Sequence, residues 1–143
     1  MSGRYEHPHA GFSLTVPMPF AILEEAADRA ILGLDAPGDS TLVLMVEALP
    51  GDMRADELAG AGLEALARGL GAFRLIDRAS AGIGGERGVR TLSSHVADGR
   101  AMTLEQWRLA AGGEGLILTG SCPTLEYSAL AEVFDAVAAS LRR

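Results

Sequence analysis

Residues 12–16, Phe-Ser-Leu-Thr-Val, alternate apolar and polar side chains without a break and run into Pro17 and Pro19. A period of two closed by prolines predicts a half-buried β-strand that ends in a turn. Residues 20–23 and 30–34 form two more short apolar runs on either side of the polar stretch 24–29, and 41–47 is apolar on both parities. A strand without a polar face predicts an inner position in its sheet, covered on both sides. Beyond Pro50-Gly51 the period changes. Leu58, Gly62, Ala65, Leu66 and Gly69 fall on one side of a helix, with Asp56, Glu57, Glu64 and Arg68 mostly elsewhere, so a helix is expected that stops at Gly69 and Gly71. Gly60 and Gly62 each cost about 1 kcal/mol of helix propensity against Ala, a cost with a packing reason if this helix lies close to a sheet.

Four longer strands are expected next, over 73–81, 89–96, 101–109 and 116–122, separated by a glycine-rich stretch at 82–88, by Asp98-Gly99 and by Gly112-Gly113-Glu114-Gly115. Asp-Gly is a strong two-residue hairpin signal. With Asp98 and Gly99 as the turn centre, Ala97 faces Arg100, His95 pairs with Met102, Ser93 with Leu104 and Arg90 with Trp107. The last pattern is helical again: Tyr127, Leu130, Phe134, Val137 and Leu141 recur at spacings of three and four and must dock on the sheet. Pro123 and Thr124 suit its start, Glu126 sits at the positive end of its dipole and Arg142 and Arg143 at the negative end. The order of elements defines one α+β domain over 1–143, an antiparallel sheet of about six or more strands flanked by helices, with residues 1–10 expected to be flexible.

Composition narrows the chemistry. The chain has 143 residues, 48% of them hydrophobic and 22% charged, enough to bury a core. Its net charge of −7 opposes phosphate backbones, so nucleic acid is not an expected partner. All 12 basic residues are Arg, and neither Lys nor Asn occurs. Schiff-base catalysis, a pyridoxal-phosphate anchor and a Walker lysine are thereby excluded, as is N-glycosylation. The single thiol, Cys122, allows no intrachain disulfide and no multi-cysteine zinc site. The first 20 residues lack a basic segment followed by an apolar one, and no later run is apolar for about 18 residues, so a cytoplasmic protein without membrane insertion is expected.

Each candidate for chemistry has a plainer reading. Gly82, Gly84, Gly85 and Gly88 precede a strand and not a helix, which makes them a turn and not a dinucleotide loop. His7, His9 and His95 make a poor metal set, and no cofactor is expected. Ser93, Ser94, His95 and Asp98 name the residues of a hydrolase triad without its nucleophile elbow, on a strand whose neighbours point to opposite faces. Cys122, between a strand and a helix start, could be activated by the dipole but has no histidine placed as its base. Trp107 next to Arg108 is either core or an interface anchor.

The opening strand with its proline stop, the helix after Pro50-Gly51 followed by Gly71-Ala72-Phe73, the Glu105-Gln106-Trp107 strand, and Gly115-Leu116-Ile117-Leu118-Thr119 leading to Tyr127 and Phe134 together resemble the Mog/PsbP-like α/β/α sandwich, in particular its bacterial DcrB- and LpqN-type branches. The resemblance spans almost the whole chain. It implies a non-enzymatic protein-binding adaptor or chaperone-like domain, without naming the partner. A binding surface is expected on the sheet at Leu92, His95, Glu105 and Trp107. Two alternatives stay open: a small-molecule carrier with a closed apolar cavity between sheet and helix, and a small hydrolase or thiol enzyme using Cys122. Long antiparallel strands with mixed faces can also pair edge to edge into a symmetric homodimer.

Overall fold

The computed structural model describes residues 3–16, 20–27, 29–34, 40–49 and 52–143. Within them the elements follow in the order β1 (Gly3–Glu6), β2 (Ser13–Val16), β3 (Phe20–Ala26), β4 (Arg29–Leu34), β5 (Thr41–Ala48), α1 (Ala55–Gly69), β6 (Gly71–Ile83), β7 (Glu86–Ala97), β8 (Arg100–Ala111), β9 (Glu114–Pro123) and α2 (Tyr127–Ser140), with a 3-10 turn at Thr124–Glu126 before α2. The expected strands are all present, and the last four run further toward their turns than the apolar pattern alone marks. Glu24 and Glu25 belong to β3, which continues past a bulge between Ile22 and Glu24 to pair with β4. Pro17, Pro19, Pro50-Gly51 and the side chains of 41–47 lie outside the described residues.

Seven strands form one antiparallel sheet in the order β3-β4-β5-β9-β8-β7-β6, and β1 pairs with β2 in a separate hairpin. The chain lays down β3, β4 and β5, crosses by α1 to the far edge, and returns through β6, β7 and β8 until β9 closes against β5. Register in the return is set at Asp98 and Gly99, which have φ of 53° and 74°, the left-handed pair that a two-residue hairpin turn needs. From there Ala97 faces Arg100, His95 faces Met102, Ser93 faces Leu104 and Arg90 faces Trp107, as expected.

Paired residues share a face, so this register sorts the sheet into two unlike surfaces. One carries Trp107, Leu109, Leu116, Leu118 and Cys122, which pack with Phe134, Val137, Ala138 and Leu141 of the α2 segment and with Phe12 and Leu14 of the hairpin in a single core. α2 lies close because β9 offers no side chain at Gly120: a Cβ there would stand 2.7 Å from the Phe134 ring. The opposite face carries Thr91, Ser93, Gln106 and Arg108, all buried, beneath α1. A sheet with α1 on one side and α2 plus the hairpin on the other is the expected α/β/α sandwich.

The amino terminus, expected to be flexible, is tied down over Gly3–Glu6 by pairing with β2. His7 is buried: its Nδ1 accepts the backbone N–H groups of His9 and Ala10, and its Nε2 lies 2.7 Å from the carbonyl of Ala26. Since Nδ1 accepts, Nε2 carries the proton and donates to Ala26. Arg142 N–H and C=O bridge to Ser13, so the end of the chain closes on β2.

Gly120 and Gly60 give a paired test of this packing. Gly120→Ala drives a methyl into the buried Phe134 ring and is expected to cost about 1–3 kcal/mol in urea denaturation. Gly60→Ala, where a Cβ meets nothing within 4 Å on a helix, is expected to gain about 0.4–1 kcal/mol.

Candidate functional site

Register places Leu92 opposite Glu105 and Trp107 two residues further along β8, so these three share the α2 face; His95 lies on the α1 face. Glu105 has no exposed surface and Trp107 only 3%, because α2 and the hairpin cover this part of the sheet. Leu92 alone of the four is half-buried, while His95 is buried under the other face. The four residues therefore do not make one open patch, and Trp107 and Glu105 support a surface from below.

Glu105 instead anchors a polar clasp. Arg90, opposite Trp107, reaches diagonally to form an ion pair with Glu105 Oε2, and Tyr127 at the first turn of α2 donates its hydroxyl to Glu105 Oε1 at 3.0 Å. Arg90 also lies 3.4 Å from Asp77 on β6. Burial raises the Glu105 carboxyl above the usual carboxylate range, and Arg90 and Tyr127 pull it back only in part. The Tyr127 hydroxyl is pushed up to about 12 by burial and by the neighbouring Glu105 charge. Both Glu105 oxygens are thereby engaged within the protein.

Cys122 is fully buried in the same core, and burial, with the charges of Glu126 and Glu105, pushes its thiol up to about 11. At neutral pH it is a thiol and not a thiolate, the opposite of an activated nucleophile. Ser93 and His95 share the α1 face but make no hydrogen bond to each other; Ser93 Oγ and His95 Nδ1 are buried without partners. Asp98 sits in the hairpin turn, away from both. The triad residues are thus not assembled. Among the described residues, no three or more His, Cys, Asp or Glu side chains come together as a metal-ligand group, and no helix is long and apolar enough to cross a membrane.

Two of the accessible features among the described residues bear on binding. Between α1 and the sheet lies a half-open cleft of about 390 Å³, with Leu58 and Leu66 on the helix side and Gln106, Arg108, Ile117 and Thr119 on the sheet side. It is half-open, unlike the closed cavity expected of a carrier. The second feature is the edge strand β6, where Leu75 and Ile76 are 46% and 58% exposed. Its register slips between Gly71 and Arg74 and again between Leu75 and Asp77. Bulges of this kind, together with Arg74, Asp77 and Arg78, discourage another strand from adding to the edge and leave the apolar side chains as the accessible part. The sequence signal for this patch is the run Phe73-Arg74-Leu75-Ile76-Asp77, whose adjacent apolar residues break strict alternation.

No family model matches this sequence, and no curated protein matches it. Solved structures do. LpqN of Mycobacterium tuberculosis, involved in cell envelope biogenesis, superposes with a TM-score of 0.74 at 18% identity over 99% of this chain and 89% of that one. The cyanobacterial PsbP of Synechocystis gives 0.72 at 15% over 99% and 91%. The Ran-binding protein Mog1p of Saccharomyces cerevisiae gives 0.72 at 9% over 99% and 95%. The chain has a Mog/PsbP-like fold. At identities between 9% and 18% these likenesses concern architecture, and the residues of this chain have to speak for its function.

Two measurements test the clasp and the thiol. Because the folded state raises the Glu105 pKa above its ordinary value of 4.5, the folded chain holds that proton more tightly than the unfolded one. The resulting stability is full below that ordinary value and is lost as pH rises through the raised value. Melting curves across this range should show the wild type losing stability relative to Glu105→Gln with rising pH; a parallel pair of curves would refute the assignment. Cys122 should resist iodoacetamide in the native protein at pH 8 and react once urea unfolds the chain, and fast native labelling would revive the thiol-enzyme reading.

Proposed function

We propose that this domain is a non-catalytic protein-binding adaptor that meets its partner through side chains at the β6 and β7 edge. The observation that carries this reading is the exposed Leu75 and Ile76, apolar side chains that the fold leaves uncovered on a bulged edge strand. Apolar surface flanked by charge is the composition of an interaction site. Here Arg74 and Arg78 supply the flank. Leu92 adjoins the patch through its pairing with Asp77, and beneath it the Arg90–Glu105 pair and Trp107 stiffen β7 and β8. In this reading the sheet residues Leu92, Glu105 and Trp107 serve binding by shaping the support, and only Leu92 reaches the surface. The fold shared with a Ran-binding protein is consistent with a binding role and does not choose the partner.

The test compares tagged wild type with a Leu75→Glu/Ile76→Glu double variant and a Leu23→Glu control, all three residues being exposed. Such surface changes should alter stability by no more than about 0.5 kcal/mol each. A protein captured from lysate of the source organism by wild type and control, and lost by the double variant, is the expected result. Equal capture by all three, or no specific capture, would remove the reading.

A further inference from the structure

The seven-stranded sheet ends in β3 on one side and β6 on the other. An edge strand offers its outer N–H and C=O groups to any other strand, and natural sheets guard them with bulges, charges or covering segments. β3 is guarded along its length. It bulges between Ile22 and Glu24, exposes Glu24 and Glu25, and is tied to the first hairpin, where Tyr5 donates its hydroxyl to Glu25 and His7 donates to the carbonyl of Ala26. The guard on β6 stops halfway. Both of its bulges lie before Asp77, and its charges are Arg74, Asp77 and Arg78. From Asp77 to Ile83 it pairs with β7 residue for residue, without a bulge. The stretch Ala79-Ser80-Ala81-Gly82 has neither a charge nor a proline, and Ala79, Ser80 and Gly82 are exposed. β7 is the one strand paired with it among the described residues, and at Gly82 a Cβ would meet nothing within 4 Å.

We propose that this half of β6 is a self-association edge, on which a second copy of the chain pairs its own β6 antiparallel to form one continuous sheet. The segment is its own complement. With a two-fold axis through Ser80, Ser80 faces its counterpart, Ala79 faces Ala81, and Arg78 faces Gly82, where the missing side chain leaves room. The two Arg78 residues then stand four positions apart, about 13 Å along the strands. The acidic groups on either side of the segment are already paired, Asp77 with Arg90 at 3.4 Å and Glu86 with Arg143 at 3.5 Å, so neither brings a bare charge to the axis. A second copy also covers both open edges in one contact, which a foreign strand does not. So short a pairing buries less than the roughly 1,200 Å² at which stable interfaces begin, so the dimer is weak and depends on concentration. The segment is separate from the Leu75 and Ile76 surface, and neither proposal rests on the other.

The test is sedimentation velocity of the purified protein from about 5 to about 500 μM, a range that spans weak affinities. The wild type is expected to move from monomer toward dimer as concentration rises. Ser80→Lys, which sets two ammonium groups face to face across the axis, should shift that transition at least tenfold upward in concentration. Leu75→Glu/Ile76→Glu should associate as the wild type does. Should circular dichroism show that Ser80→Lys disturbs the fold, the wild type alone decides, through two-dimensional NMR: amide signals that move with concentration are expected at 77–83 and not on β3. A monomer throughout the range, association unchanged in a folded Ser80→Lys, association lost in the Leu75/Ile76 variant, or concentration-dependent shifts confined to other surfaces would overturn the proposal.

Discussion

Glu105 is a carboxylate with no exposed surface in the middle of a sheet, and the placement of α2 follows from it. An isolated charge there would cost several kcal/mol, which a pair recovers only when each oxygen finds a donor. Oε2 takes Arg90 from the neighbouring strand and Oε1 takes Tyr127 from the first turn of α2. One group thus ties the register of β7 and β8 to the entry of the helix. A slip of one residue between these strands would turn Glu105 to the other face and strand the charge. With Tyr127 held, Phe134 falls two turns along on the same side of the helix and lands on Gly120, where the strand has made room.

The two faces of the sheet consequently do different work. Under α2 the polar clasp is closed, surrounded by Trp107, Leu118 and Cys122, and this side supplies the core. Under α1 the hydrogen-bonded Thr91, Gln106, Arg108 and Thr119 lie among the apolar Val89, Leu104 and Ile117. Only Leu58 and Ala59 of α1 are buried, against Phe134, Val137 and Ala138 of α2. The first turn of α1 is held by Glu57 accepting from the Arg54 N–H, and β6 is joined to it by Arg78 donating to the carbonyl of Asp56. These are exposed contacts of small worth. Local opening follows burial, so α1 is the softer cover and α2 the stiffer one.

Much of the fold was legible because its signals are local. Asp98-Gly99 dictates a turn by backbone conformation, and four side-chain pairs follow by counting outward. The final helix shows a spacing that no strand can imitate. What local pattern cannot give is which face meets which helix. Trp107 and Arg108 are neighbours in sequence and suggest a shared anchor, yet period two sends Trp107 under α2 and Arg108 under α1. His95 and Glu105 separate for the same reason. Gly62 marks a close approach, as its helix cost suggests, but what it approaches is a guanidinium two strands from the nearest edge, whereas Gly60 meets nothing. The bulges of β6 depend on a partner strand, and the sequence shows only a broken alternation at Leu75-Ile76.

The isolation of the reactive groups bears on the choice between binding and catalysis. Catalysis needs a nucleophile, a base and a position for substrate within a few ångströms of one another. In this chain the thiol lies in the α2 core, His95 lies on the other face, and His7 spends its ring nitrogens on backbone groups around the first hairpin. The buried carboxylate is occupied by Arg90 and Tyr127. The sheet holds His95 on the face opposite Cys122 and Glu105. The apolar side chains left exposed on the bulged β6 edge ask only that something fit them.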